Sequence, residues 1–419
     1  MGKAFLALPI LIVAAVVPYL YAIQGEYLFD DYHVIYTNQT LWNVASIWDS
    51  FTFVLKPSKP ITNFFIALGH LITPLAWGQR LLSLFFHCSV VVLFWGYLTR
   101  VRAPFSAFLA ALIFAILPIH SETIVVGLFR MDILGTFFTL LALHAAESLS
   151  QSGKRVWWLA LFLCVGMAQL SKEVFAVVTP LTLAIFYGPQ LGKRSLARLA
   201  GMEALWAAVL LFLLTKDAAS EYPYGDVIGP TILGWKTHLL LSARALVEGL
   251  YKVLFGYGLT TRRLADRLAV PHIQSLWVAG IVFATAVTVL TTLLRWKKTP
   301  KEWILASAVG ALVYLIIPNI NIGSEHYWYF PALGICTLIV VFLSHRARMQ
   351  SALIGLYAAS LLVALEHRVF QMKTRLGFHL AEIRDHPECA ASWINAAIAV
   401  MEKKDNSLLP SAKTFIDTA

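Results

Sequence analysis

Apolar segments recur along nearly the whole chain, at approximately 4–23, 80–98, 104–117, 132–148, 156–170, 174–188, 200–215, 275–294, 303–317, 331–344 and 350–366. No other feature restricts the fold as strongly. In a bilayer each unpaired backbone polar group costs several kcal/mol, and a helix satisfies its own. About 20 apolar residues in helical form cross the hydrocarbon core. With 59% hydrophobic residues over 419 positions, a water-soluble globule could not cover its apolar surface. The sequence therefore predicts an all-α polytopic membrane protein with about eleven transmembrane helices. The first segment, Ala4–Ile23, has too long an apolar run for a signal peptide and only Lys3 as its charged start, so it reads as a retained span.

Charge then orients the spans. One alternating set of loops carries Arg100 and Arg102; Lys154 and Arg155; Lys193, Arg194 and Arg198; Arg295, Lys297, Lys298 and Lys301; and Arg346 and Arg348, with Glu302 the acid beside them. The positive-inside rule makes these loops cytoplasmic, with the N-terminus inside and the C-terminal tail outside. Much of the net charge of +10 is thereby explained, and no nucleic-acid partner is needed. Trp235–Phe255 is apolar enough to suggest a further span, but Arg244, Glu248 and Lys252 share one helix face at spacing four. Each such charge costs about 2.5–3.5 kcal/mol at a bilayer centre. The segment is expected to be an amphipathic or re-entrant helix on the outer face.

This topology sorts the unusual polar clusters onto one side. Asp30-Asp31, His120-Ser121-Glu122, Arg130-Met131-Asp132, Lys172-Glu173, Arg262-Arg263 and Glu325-His326 all fall at outer helix ends. Ionisable groups at membrane depth usually line cavities or substrate paths. A carboxylate at the lip, such as Asp30 or Asp31, can take a proton from a hydroxyl or help bind a divalent cation. Arginine suits phosphate recognition. Asp31 and His120 are the side chains suited to a metal, should one take part. The four cysteines have no metal or disulfide spacing, and no glycine-rich nucleotide loop is present. The blander readings are solvated loop acids, helix caps and contacts with anionic lipid.

The expected organisation is a transmembrane unit over 1–366 and a helical tail over 367–419. The unit includes a long first outer loop, 24–79, and a second, 216–274, with the amphipathic helix. In the tail, Trp393, Ala396, Ala397 and Val400 share a helix face, and a second short helix is expected near Ala412–Ile416. The pair resembles one degenerate tetratricopeptide unit; an ordinary helical tail is the equal alternative.

The order of motifs resembles the GT-C glycosyltransferases, and most closely the transmembrane and tetratricopeptide-repeat O-mannosyltransferases with their bacterial relatives. The residues that carry this resemblance are Phe29-Asp30-Asp31 with Ile35 and Asn38, Lys59-Pro60, His87, Pro118–Glu122, Arg130–Leu134, Ser171-Lys172-Glu173, and Glu325-His326 before Tyr329 and Pro331. Lys59 and His326 stand where the family usually has arginine, and the tail stops after about one repeat.

The resemblance implies a GT-C fold and an inverting transferase that uses a sugar on a polyprenyl phosphate, with mannose a candidate. It implies Asp30 as the base and Asp31 as its support. His120, Glu122, Arg130, Asp132, Lys172, Glu173, Arg262, Arg263, Glu325 and His326 are then expected to bind the donor or acceptor. Within that set, Glu122 and Asp132 bind sugar hydroxyls or hold Arg130, and the basic residues receive the phosphate. The acceptor would be a protein Ser or Thr, or alternatively a lipid or polysaccharide. A transporter or flippase is a further alternative, but it calls for ionisable residues in mid-span. The implied location is a bacterial inner membrane, or the endoplasmic reticulum, with the site on the non-cytoplasmic side.

Overall fold

The computed structural model describes residues 2–188, 190, 192–218, 235–256, 259, 301–316, 324–343, 349–385, 390–402 and 409–418. Every regular element among them is helical. The expected span 275–294, the segment 219–234 and the pair Arg262-Arg263 lie outside the described residues.

Helix α1, Gly2–Val16, does not run unbroken to residue 23. Pro18 supplies no amide hydrogen, and the chain passes through a 3-10 turn, Val17–Tyr19, into a last helical turn, Leu20–Ile23. The first loop contains helix α2, Pro60–Ile72, opened by Pro60 in its first turn. Before it, Ile47–Thr52 forms a short helix closed by a reciprocal cap. The Ser46 hydroxyl accepts the Asp49 amide, and the Asp49 carboxylate accepts the Ser46 amide at 2.7 Å.

The bundle continues with α3 (Ala76–Val101), α4 (Pro104–Ala115), a short α5 (His120–Val125), α6 (Arg130–Ser152), α7 (Val156–Ser171), α8 (Phe175–Tyr187) and α9 (Lys193–Ala218). Gly153 ends α6 in the left-handed conformation (φ 64°), which costs glycine little. Helices α10 (Trp235–Phe255), α11 (Lys301–Ile316), α12 (Ala332–Leu343) and α13 (Met349–Gln371) follow. Three tail helices complete the described chain: α14 (Arg375–Asp385), α15 (Ala390–Glu402) and α16 (Leu409–Thr418).

Five described stretches are long and apolar enough to cross a membrane: Leu6–Ile23, Ala76–Val101, Gly127–Ser152, Arg194–Lys216 and Ala352–Gln371. Burial separates centre from periphery: 78% of the Gly127–Ser152 window is buried, but only 6% of Arg194–Lys216. Helices α3 and α6 pack together at the centre, with α1 and α4 against α3 and α7 and α8 against α6. Leu6, Phe85, Phe212 and Val363 are among the large apolar side chains left exposed, as expected where lipid is the solvent.

The tail helices dock back on the first loop. The Arg375 amide donates to Glu26 Oε2 at 2.8 Å, the Glu26 amide to the Lys373 carbonyl at 3.0 Å, and the Tyr32 hydroxyl to Glu402 Oε1 at 3.1 Å. Loop and tail therefore share one end of the bundle. Helices α15 and α16 pack through Ala397, Val400 and Ala412, with Phe415 alongside.

Candidate active site

The acid pair follows the chain's one strained backbone position outside glycine among the described residues. Phe29 has φ 48°, where a bulky side chain is an outlier. The turn after it is π-helical: the Thr37 amide reaches five residues back to the Tyr32 carbonyl at 3.1 Å. The two acids then part company. Asp31 is 2% exposed and accepts the Gly127 amide at 2.6 Å through Oδ2 and the Leu128 amide at 2.8 Å through Oδ1. It caps the 3-10 turn Gly127–Phe129 and so fastens the first loop to the start of α6. Burial pushes its carboxyl up to about 6, against the pull of those two amides and of Arg80 and Arg130. Asp30 is half-buried.

Gly127 sits in a close approach. A Cβ there would lie 2.9 Å from Gln79 Cβ and 3.3 Å from Asp31 Oδ2. Around this contact two buried arginines bind main-chain oxygens. Arg130 donates to Ser83 Oγ (3.1 Å), the Phe65 carbonyl (2.8 Å), the Gln79 carbonyl (2.7 Å) and Gln79 Oε1 (2.8 Å). Arg80 donates to the carbonyls of Val125, Ala22 and Glu26. Arg130 is thus held by α2 and α3 rather than by Glu122 or Asp132, which corrects that expectation. The Val125 and Ala22 carbonyls that receive Arg80 lie at the C-terminal ends of short helices, where carbonyls lack intrahelical donors.

Asp132 instead takes Lys172, whose Nζ lies 2.8 Å from each carboxylate oxygen. The same ammonium stands 4.6 Å from the centre of the Tyr327 ring. Lys59 pairs with Glu173 at 3.1 Å, and Thr62 in α2 donates to the Ser171 carbonyl at 2.8 Å. These contacts hold the first loop against the α7–α8 turn.

Glu122 Oε2 accepts the His326 amide at 2.7 Å and lies 3.3 Å from His326 Nδ1. The His326 ring stacks on Phe129, centroids 4.0 Å apart. Next to it Glu325 meets Lys252 at 3.4 Å, and Arg368 lies 3.3 Å from Glu382 and 4.0 Å from Glu325. Burial raises the Glu122 carboxyl to about 8 and the Glu325 carboxyl to about 7. His120 packs its ring against Phe114, Tyr329 and His87, and burial lowers it well below the usual histidine range.

Five of the expected residues, Glu122, Asp132, Lys172, Glu325 and His326, therefore connect through Phe129, His326 and Tyr327. His120 and Asp31 have different neighbours, and among the described residues no group of three or more His, Cys, Asp or Glu side chains is arranged to hold a metal. Lys252 of α10 is buried against Glu325, and Gly249, about one turn earlier, leaves room for the Trp328 indole.

The comparisons with known proteins agree with this assembly of motifs. Residues 56–216 match the family described as dolichyl-phosphate-mannose-protein mannosyltransferase. The human protein O-mannosyl-transferase TMTC2 is 28% identical over 173 residues, covering 37% of this chain and 21% of its own length. The Caenorhabditis elegans protein O-mannosyl-transferase F38B6.6 is 21% identical over 362 residues, covering 79% of this chain and 50% of its own. Over these segments the chain is similar to protein O-mannosyl-transferases. It spans between about a fifth and half of the length of these relatives. A crystal structure of ArnT from Cupriavidus metallidurans bound to undecaprenyl phosphate superimposes with a TM-score of 0.44 and 14% identity, covering 96% of this chain and 81% of that one.

The sequence alone does not single out Gln79, Arg80 and Ser83. Gln79, Ser83 and His87 recur at spacing four along an apolar span, with Arg80 beside Gln79. Intramembrane polar residues at that period face a bundle interior, and all four are buried here. His87 Nδ1 lies 2.7 Å from the Tyr329 hydroxyl, which joins the stripe to the Glu325–Trp328 turn. Arg368 was also passed over, because it reads as an ordinary basic residue at a helix end.

Proposed function

We propose that the chain is an integral-membrane glycosyltransferase that moves a sugar, mannose being the first candidate, from a polyprenyl phosphate to a hydroxyl of protein Ser or Thr. The observation that carries this reading is the division of labour in the acid pair. Asp31 spends both oxygens on the amides of Gly127 and Leu128. Asp30, next to it and half-buried, is the acid proposed as the base. The match of residues 56–216 to a mannosyltransferase family supports the donor class.

The reaction is a single displacement. Asp30 takes the proton of the acceptor hydroxyl, that oxygen bonds to the anomeric carbon, and the bond from that carbon to the phosphate oxygen breaks with inversion. The polyprenyl phosphate leaves as an anion and requires fixed positive charge rather than a proton. Lys172, His326, Arg262 and Arg263 remain the proposed donor-binding cations; Lys252 and Arg368 join them because the network around Glu325 brings them there. Glu122, Glu173, Asp132, Glu325 and His120 hold these groups and the sugar in place. Residues 1–366 form the catalytic unit, with 367–419 beside it on the non-cytoplasmic side of a bacterial inner membrane or the endoplasmic reticulum.

The test is transfer from polyprenyl-phosphate sugars to Ser/Thr peptides by purified protein. Asp30→Asn is expected to lower the rate by about 10²–10⁴-fold. Full activity in that variant would remove Asp30 from the role of base.

A further inference from the structure

Phe29, with its left-handed φ of 48°, stands directly before the acid pair. The Leu28 carbonyl accepts the Asp31 amide at 3.0 Å, so Phe29 and Asp30 are the two central residues of a chain reversal. The backbone of Phe29 therefore sets the direction in which Asp30 leaves the turn. A bulky residue at such a φ persists only where its surroundings over-determine it.

Those surroundings form a closed circuit of rings and charges. His326 stacks on Phe129 with centroids 4.0 Å apart, Phe129 meets Phe29 at 6.0 Å, and Phe29 meets Phe378 at 6.5 Å. All three separations fall within or close to the range of about 4.5–7 Å at which rings attract. The Arg368 guanidinium lies 5.8 Å from the centre of the Phe378 ring and 4.0 Å from Glu325, the residue beside His326. Phe378 belongs to tail helix α14, whose Glu382 also holds Arg368 at 3.3 Å. Phe378 and Phe129 are both buried, while the Phe29 ring between these contacts is half-buried.

We propose that Phe378 is a positioning residue for the acid pair: packed from the tail onto the Phe29 ring, it keeps Phe29 left-handed and so fixes the direction of Asp30. The inference rests on the transferase reading above and extends the catalytic unit past residue 366 to α14. Asp31 anchors the far side of the turn through the amides of Gly127 and Leu128. Phe378 anchors the near side, and Asp30 stands between the two. A glycine at position 29 would hold this φ by itself. A phenylalanine holds it only while its ring is packed, which makes the geometry of Asp30 conditional on the docking of α14. A ring with one neighbour can swing away as φ returns to the negative values that L-residues prefer. A second buried neighbour, tied to Glu325 through Arg368, closes that route.

The test measures melting of the whole chain in lipid nanodiscs and the transfer reaction described above, at a temperature where each variant is folded. Phe378→Ala is expected to lower kcat about tenfold or more, because a shift of about 1 Å at a reacting group can cost about 10²-fold. The donor KM should stay within about twofold, since the residue acts on position rather than binding. Phe378→Leu, which still fills the space over Phe29, should restore most of the rate. In the Phe29→Gly background, adding Phe378→Ala should lower kcat by less than about twofold, because glycine needs no packed ring to hold the turn. Phe378→Val serves the same comparison where Phe378→Ala does not fold. Val400→Ala, in the contact between α15 and α16, should lower the melting temperature and leave kcat unchanged. Equal loss of kcat in both backgrounds, an effect on KM instead of kcat, or a loss of kcat in Val400→Ala equal to that in Phe378→Ala would each overturn the positioning role. Where the unaltered chain transfers sugar, such a result refutes this inference alone. Where the unaltered chain transfers none, the transferase reading falls and this inference falls with it.

Discussion

Asp31 is bound to Gly127: its Oδ2 accepts that residue's amide hydrogen at 2.6 Å across 96 positions of sequence. The neighbouring Oδ1 takes the next amide, Leu128, at 2.8 Å. A carboxylate that receives two backbone donors sets the position of the loop it belongs to. The adjacent Asp30 and the start of α6 are held in register by this one side chain.

Replacing Asp31 by Ala is therefore expected to act through position. The buried Gly127 amide loses its acceptor at about 1–3 kcal/mol, and the partly buried Leu128 amide loses its own at less. Asp31→Asn keeps one carbonyl acceptor and is expected to be milder. Thermal melting in detergent should rank unaltered chain, Asn, then Ala, and transfer rate should follow the same order. Equal melting temperatures in all three would remove the anchoring role.

Gly127→Ala adds a Cβ that must displace Gln79 Cβ, 2.9 Å away, and crowd Asp31 Oδ2 at 3.3 Å. Overpacking of this kind costs about 1–3 kcal/mol. The expected outcome is reduced transfer with the acid pair intact in sequence. Undiminished activity would mean that the loop contact can open without consequence for Asp30.

Stability is expected to fall as pH rises from about 5 to 8. Glu122 is an acid held at about 8 in the fold, above its usual 4.5, because burial penalises its charged form before the His326 amide can compensate. Between those two values the unfolded chain has lost a proton that the folded chain retains, so rising pH favours unfolding. The contribution is complete below about pH 4.5 and lost as pH passes through about 8. Glu325, held at about 7, works in the same direction. Glu122→Gln should flatten the dependence of melting temperature on pH. A slope as steep in the variant as in the unaltered chain would exclude Glu122 as its source.

Lys172→Met leaves Asp132, 1% exposed, as a buried charge without its ammonium partner. Breaking one side of such a pair costs about 3–5 kcal/mol. Removing both, as Lys172→Met with Asp132→Leu, is expected to recover much of the loss in melting temperature. It should not recover transfer, since both side chains have proposed roles near the donor. A strictly additive double variant would show that the pair is not coupled.

The apolar segments made the helical class and most helix positions legible, because in lipid hydrophobic length and helix are nearly the same statement. The acid pair and the Glu325-His326 turn were legible as isolated polar interruptions. Helix α2 was harder: Ile61–Trp77 reads as a semi-apolar run, and only Pro60 marks where its helix begins. Partnerships were less legible still. Arg130 and Asp132 are two residues apart and of opposite charge, yet each pairs elsewhere, with Gln79 and Lys172. Residues two apart on a helix point in different directions, so proximity in sequence misleads. Lys252 read as part of one charged face of an amphipathic or re-entrant helix, and the arrival of Glu325 from 73 positions away accounts for its burial.

The junction between Glu26 and Arg375 spans 349 positions, and this gives that end of the bundle an order of assembly. The acid pair emerges early in synthesis, but the tail helices that meet its loop are made only after every intervening helix. A nascent chain that has inserted its first helices carries Asp30 and Asp31 with no α14 or α15 beside them. Closure of this junction thus reports that the intervening chain has been made and threaded.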